Sequence, residues 1–267
     1  MRSDLVAAFV LLCGFALVAV VALTVLARRA GAQGRSPRRA LASGLAVATA
    51  LVCCQFVVVG GVLAHLTGGC ADGLSAQDGP ALHWVVAHRE GVGTGFSIVL
   101  AVIGGTASMM VLTVVASGIL LYLGRWPAAL VVAATAALGG LLVITFKPLY
   151  GRPRPPVVDQ VIHYHGYSLP SGHALGSTVV LGIVAAALYP ALSSTRRRIA
   201  LIAGAAGLAV AVGLSRVYLA AHWLTDVVTG WLLGGAWLAV GVTALALLND
   251  TRYPVERTGQ TTTPSRT

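Results

Sequence analysis

Three short groups of residues carry chemistry that packing alone does not call for. The first runs Lys147, Pro148, Leu149, Tyr150, Gly151, Arg152, Pro153, Arg154, Pro155, a cationic segment leaving the end of an apolar stretch. Among the 18 Lys and Arg residues, Lys147 is the single lysine. A compact ammonium and a planar guanidinium are not interchangeable, and the two together suit an oxyanion with several oxygens, one taking a point charge and another a fork. Snorkelling of long side chains to a membrane surface is the structural alternative for this group.

The second group is Pro170, Ser171, Gly172, His173, directly before another apolar run. Ser is a favoured N-cap, and a helix N-terminus offers free backbone N–H groups at the positive end of its dipole, which together bind phosphate. Gly172 lets the backbone approach closely, and His173 falls in the first helical turn, beside such an anion. An ordinary cap followed by an interfacial histidine accounts for the tetrapeptide equally well when it stands alone. The third group is Ser215 and Arg216, then His222 and Asp226. The last two are four apart at the start of a helix, so they share a face on which the carboxylate can orient the imidazole. A structural pairing remains open, since an unpaired carboxylate at a membrane boundary is costly.

The elements that must hold these groups are membrane helices. The chain is 57% apolar and 10% charged, with a mean hydropathy of +0.85, which leaves little room for a soluble globule. Seven stretches are long enough to cross about 30 Å of hydrocarbon at about 1.5 Å per residue. They lie near 5–27, 40–64, 96–123, 127–146, 172–190, 199–218 and 223–248, and Asp226 is the one acidic residue inside any of them. The first is too long for a signal-peptide core. Paired glycines, Gly104 with Gly105 and Gly234 with Gly235, predict close helix packing.

Arginine placement orients the bundle, because short cytoplasmic loops carry excess Lys and Arg. Arg28, Arg29, Arg35, Arg38 and Arg39, then Arg125, then Arg196, Arg197 and Arg198, then Arg252, Arg257 and Arg266 all fall on one face, taken as cytoplasmic. Loops 65–95, 147–171 and 219–222 then face outward, together with all three chemical groups. The net charge of +10 reflects this topology and anionic lipid head groups, and does not call for nucleic acid. Cys13, Cys53 and Cys54 lie in expected helices and Cys70 in an outer loop, without a paired framework. The expected organisation is an N-terminal two-helix segment with outer loop (1–79), a core that holds the three groups (80–248) and a disordered cytoplasmic tail (249–267).

Taken together, the three groups resemble the signature of the type 2 phosphatidic acid phosphatase (PAP2) family, which shares its fold and active site with vanadium haloperoxidases and bacterial acid phosphatases. Lys147, six residues, Arg154 and Pro155 match the first motif; Pro170, Ser171, Gly172 and His173 the second; Ser215, Arg216, five residues, His222, three residues and Asp226 the third. Any one is weak, whereas all three in order are specific. The resemblance covers roughly residues 80–248 and implies an all-α polytopic bundle of about six spans, so the helix at 5–27 is an addition.

It further implies that His222 is the nucleophile forming a phosphohistidine, with Asp226 fixing its tautomer. His173 is then the acid for the leaving oxygen and the base for water. Lys147, Arg154 and Arg216 hold the phosphoryl oxygens, assisted by Ser171 and the Gly172 N–H. No metal or cofactor is required. A zinc hydrolase using His163, His165, His173, His222 and Asp226 is the enzymatic rival, but the motif cations oppose a dication. A transporter or a non-catalytic envelope protein is the rival of another class, and transporters place charges nearer the midplane. The substrate expected is a lipid phosphate reached from the plasma (inner) membrane: polyprenyl pyrophosphate first, with phosphatidic acid or phosphatidylglycerophosphate close behind.

Overall fold

A computed structural model describes residues 38–66 and 73–249. The expected first span and the tail beyond residue 249 lie outside the described residues, as does Cys70. The described residues form eight α-helices and three short 3-10 turns, with no strand among them. The helices are α1 Arg38–Leu66, α2 Asp78–Ala87, α3 Gly91–Ile103, α4 Thr106–Tyr122, α5 Trp126–Tyr150, α6 Gly172–Leu188, α7 Thr195–Tyr218 and α8 Leu224–Asn249. In hydrocarbon every backbone N–H and C=O must be bonded within its own segment, so apolar runs of this length fold as helices. Among the described residues, α5, α6 with its extension to Ala191, α7 and α8 are each long and apolar enough to cross a membrane, and the bent pair α3 and α4 adds a fifth candidate. The protein is an integral membrane protein.

Local sequence explains where the central helices begin and end. Pro127 stands in the first turn of α5, where its missing N–H costs nothing. Gly151 ends α5 in the left-handed region at φ 59°, returning its N–H to the Lys147 carbonyl at 3.1 Å. Ser171 caps α6, its hydroxyl accepting from Ala174 N–H at 3.4 Å. α8 packs most extensively on α1 and α6. Small residues make that approach possible: a Cβ at Gly230 would lie 2.8 Å from the Ser171 carbonyl oxygen, and one at Gly234 would lie 3.0 Å from that of Leu175. Gly235 faces Leu51 of α1 in the same way. Beneath this contact Leu142, Phe146, Tyr150, Leu169, Leu175, Val179 and Leu233 form a core cluster joining α5, α6 and α8. Large apolar residues on the outer faces, such as Leu130, Ile144 and Ile202, are exposed, as lipid-facing positions should be.

Three boundaries differ from the sequence reading. The run 96–123 is not one straight helix: α3 starts at Gly91, and a 45° bend separates it from α4. At the break Gly105 N–H bonds Val102 O at 3.1 Å, and Gly105 adopts extended backbone as the cap of α4. Gly104 does serve close packing, since a Cβ there would strike the Val212 side chain of α7. Second, α5 runs past 146 through Tyr150, so Lys147 lies in its last turn rather than beyond it. A cation is favourable there, at the negative end of the helix dipole. Third, the outer loop 65–95 contains the short helix α2, whose Asp78 is buried.

Candidate active site

The site forms where the end of α5, the loop 151–171, the start of α6, the end of α7 and the start of α8 converge. Backbone bonds hold these ends in register: Ser171 N–H donates to the Asp226 carbonyl at 3.0 Å, Ser168 N–H to that of Arg152 at 2.8 Å, and Val161 N–H to that of Leu219 at 3.2 Å. The turn from α7 to α8 is equally tied, with the N–H groups of Ala221 and His222 both donating to the Arg216 carbonyl at 3.0 and 3.3 Å. Ala220 takes a positive φ of 51° in that turn, a left-handed conformation that redirects the chain and brings His222 in beneath the loop.

His222 and Asp226 are buried together. Their direct contact, Nδ1 to Oδ2, is long at 3.4 Å. The Ser168 hydroxyl closes the gap: it donates to Asp226 Oδ2 and lies 3.3 Å from His222 Nδ1. Trp223 N–H donates to the same Oδ2 at 2.9 Å. Arg152 takes the other oxygen, Nη1 to Oδ1 at 2.6 Å, and its Nη2 reaches Asp78 Oδ2 at 2.7 Å. Burial is the main influence on the His222 imidazole and pushes it down to about 4; Asp226 works against this, and the cations of Arg154 and Lys147 add to it. The ring is therefore neutral at pH 7. With its proton on Nδ1 toward the carboxylate, Nε2 presents its lone pair on the opposite side, toward Arg154 Nη1.

On that side stand the cations. Arg154 Nη1 lies 3.3 Å from His222 Nε2 and donates to the Ala221 carbonyl at 2.7 Å, while its Nε donates to the Gly166 carbonyl at 3.1 Å. Burial and the neighbouring Arg216 charge push the Arg154 guanidinium down from its usual value; it stays charged at any working pH. Lys147 Nζ donates to the Tyr167 carbonyl at 2.9 Å. Arg216 is 1% exposed, and its Nε and Nη1 have no hydrogen-bond partner among the described residues. Tyr164 roofs the pair, its ring centroid 4.6 Å from the Arg216 guanidinium and 5.5 Å from that of Arg154. Three cations so close repel one another unless an anion sits among them.

His173 completes the ring of groups. Its imidazole hydrogen-bonds the backbone of Ala101, and the charges of Arg216, His222 and Lys147 all act on it. Gly105 at the α3–α4 break faces it, since a Cβ there would lie 3.9 Å from His173 Nε2. Turning the Gly105 N–H to Val102 spares the Ala101 carbonyl its usual helical donor, and the His173 ring is the group that bonds this residue. The first turn of α6 adds backbone N–H groups of Gly172 and His173, which have no partner inside the helix.

All eight residues named from sequence thus sit at one end of the bundle. His163 and His165 stand apart as exposed loop residues. Among the described residues no three of His, Cys, Asp and Glu are grouped so as to hold a metal ion. Sequence reading missed Ser168, Tyr164, Thr225 and Asp78, and saw Arg152 only as part of a cationic run. Asp78 offered a signal, as one of eight acidic residues in the whole chain. Ser168 offered none that separates it from other loop hydroxyls.

Comparison with known proteins gives concordant relationships. A family model described as the PAP2 superfamily matches residues 128–249. Phosphatidylglycerophosphatase B of Bacillus subtilis (strain 168) is 32% identical over 126 residues, which is 46% of this chain and 60% of that protein. The chain therefore spans about three fifths of the length of that curated relative. The crystal structure of a transmembrane PAP2 type phosphatidylglycerolphosphate phosphatase from Bacillus subtilis matches with a TM-score of 0.66 at 23% identity, covering 77% of this chain and 97% of the other. The chain is similar in fold to that structure.

Proposed function

We propose that this chain, whose residues 128–249 match the PAP2 superfamily model, is a membrane phosphatase that cleaves a lipid phosphate at the extracytoplasmic face. The observation that carries the reading is the Arg216 guanidinium, buried with two unpaired nitrogens beside Arg154, Lys147 and two imidazoles. Buried unpaired donors are costly. A phosphoryl group, with several anionic oxygens, satisfies them.

In this reading the neutral His222 attacks phosphorus through Nε2, forming the N–P bond as the P–O bond to the leaving group breaks. His173 delivers a proton to that oxygen. Asp226 and Ser168 hold the Nδ1 proton and stabilise the positive ring. Water then attacks phosphorus, His173 takes its proton, and the P–N bond breaks to free phosphate and restore His222. Arg154, Arg216 and Lys147 stabilise the charge spread over the equatorial oxygens, with Ser171 shaping the helix end and the Gly172 N–H donating there.

Seven spans with the tail inside, and a site on the outer face, follow from the arginine distribution. The substrate is a phosphomonoester or pyrophosphate whose tail stays in lipid. The name of the curated relative moves phosphatidylglycerophosphate to the head of the candidates, ahead of polyprenyl pyrophosphate and phosphatidic acid.

Two measurements test this reading. Phosphate release from a lipid phosphate in detergent should survive EDTA and be inhibited by vanadate, an oxyanion that occupies the phosphoryl site; loss in EDTA restored only by zinc would move the chemistry to a metallohydrolase. Single cysteines in loop 156–168 should be labelled by an impermeant reagent in intact cells, while those at 193–198 are labelled only after permeabilisation. The reverse pattern would overturn the outward site.

A further inference from the structure

We propose that Asp78 and Arg152 are positioning residues for the His222–Asp226 pair, so that a helix preceding the residues matched to the family completes the catalytic machinery. The proposal rests on the reading of His222 as nucleophile. Its ground is a closed polar cluster. Arg152 is 3% exposed, Asp78 5%, and Asp226 and Thr225 0%. Arg152 Nη1 donates to Asp226 Oδ1 at 2.6 Å and to Thr225 Oγ1 at 2.7 Å, and Nη2 donates to Asp78 Oδ2 at 2.7 Å. Thr225 N–H donates to Asp78 Oδ1 at 2.9 Å, and its hydroxyl donates to Asp78 Oδ2. The Arg152 guanidinium also lies over the Trp223 ring at 5.4 Å, and Trp223 Nε1 donates to the Pro153 carbonyl at 2.9 Å.

The geometry divides labour on Asp226. Oδ2 serves the histidine side, through Ser168, Trp223 N–H and the long contact to Nδ1, while Oδ1 is given wholly to Arg152. Fixing Oδ1 stops the carboxylate from rotating, and rotation is what would break a contact already at 3.4 Å. Charge makes Asp78 necessary as well. Arg152 with Asp226 alone would be a neutral pair, its cation drawing the carboxylate away from His222. A second carboxylate returns the cluster to a net negative charge, which favours the positive ring formed as phosphorus is attacked. Removing one member of a buried charge set leaves its partner uncompensated. A planar fork is needed to reach both carboxylates, which lysine does not supply.

The test uses the full-length protein purified in detergent, with vanadate inhibition, KM and kcat measured on an activated aryl phosphate. Asp78→Asn should keep vanadate affinity and KM within about threefold while lowering kcat by about 10- to 100-fold, the usual effect of losing a group that orients a catalytic one. Arg152→Met should lower kcat at least as much, and Arg152→Lys should not restore it. Because Asp78 acts through Arg152 and through Thr225 of the same cluster, the double variant Asp78→Asn with Arg152→Met should lose clearly less than the product of the two single losses. Thr225→Val, which keeps every charge, should show a smaller loss confined to kcat, and it carries the test if Asp78→Asn does not yield vanadate-binding protein. Wild-type kcat in Asp78→Asn or in Thr225→Val, or losses that add fully in the double variant, would overturn the proposal. Failure of the unaltered protein to turn over any phosphate would instead overturn the phosphatase reading on which it rests.

Discussion

His222→Ala should show no phosphoenzyme with any substrate, whereas His173→Ala should accumulate it. The asymmetry follows from what each ring supplies. In the proposed mechanism His222 provides the lone pair that bonds phosphorus; it is buried and neutral, and Nε2 faces the cations. His173 supplies only a proton, and losing a general acid typically costs about 10² to 10⁴ in rate. An activated aryl phosphate, whose leaving group needs no protonation, should recover most of the first step in His173→Ala. The second step still lacks its base, so label should persist on the protein as an acid-labile, base-stable phosphoramidate. Label appearing on His222→Ala would reverse the two assignments.

Arg216→Met should lower kcat/KM by about 10²- to 10³-fold, the range seen when one preorganised donor to a developing oxyanion is removed. Vanadate affinity should fall with it, since the same nitrogens hold the ground-state anion. Stability should move the other way. Arg216 is 1% exposed, and its Nε and Nη1 have no partner among the described residues, so an unbranched apolar side chain removes a buried charge held beside Arg154 and Lys147. A thermal midpoint at or above wild type, together with the loss of kcat/KM, is the expected pair of results in detergent. A variant that binds vanadate normally would show that Arg216 is a structural cation stacked on Tyr164 and no part of the cradle.

Sequence alone points to most of the residues that the structure brings together, because three motifs state residue types and spacing that phosphate chemistry would explain one by one. Lys147, Arg154, Ser171, Gly172, His173, Arg216, His222 and Asp226 were all legible, and the structure brings them to one end of the bundle. The fold class was legible for the same reason that membrane helices generally are: backbone bonding in lipid leaves few alternatives. What escaped depends on distance in sequence. Arg152 and Asp78 are 74 residues apart and have no periodicity to announce them. Ser168 approaches the His222–Asp226 pair across 54 and 58 residues of chain, through a loop whose path only the tertiary fold decides.

The helix break at Gly104 and Gly105 illustrates a different limit. Two adjacent glycines in an apolar run predict close packing, and Gly104 does admit Val212. Their second consequence, a bend that turns the backbone toward His173, depends on where α6 lies and is not written in α3 or α4. Lys147 shows the opposite case. The apolar pattern ends at Phe146, but helical hydrogen bonding continues until Gly151 can adopt positive φ. The lysine is thereby carried on a helix rather than a loop, which suits the phosphoryl-holding role proposed for it.

The central claim, hydrolysis of a lipid phosphate, is tested most directly by offering the purified protein phosphatidylglycerophosphate, phosphatidic acid, polyprenyl pyrophosphate, polyprenyl phosphate and a water-soluble phosphate ester at matched concentrations and measuring phosphate release. The account predicts turnover of at least one lipid well above the soluble ester, abolished in His222→Ala. A clear preference for the soluble ester, or phosphate release that persists in His222→Ala, would contradict it.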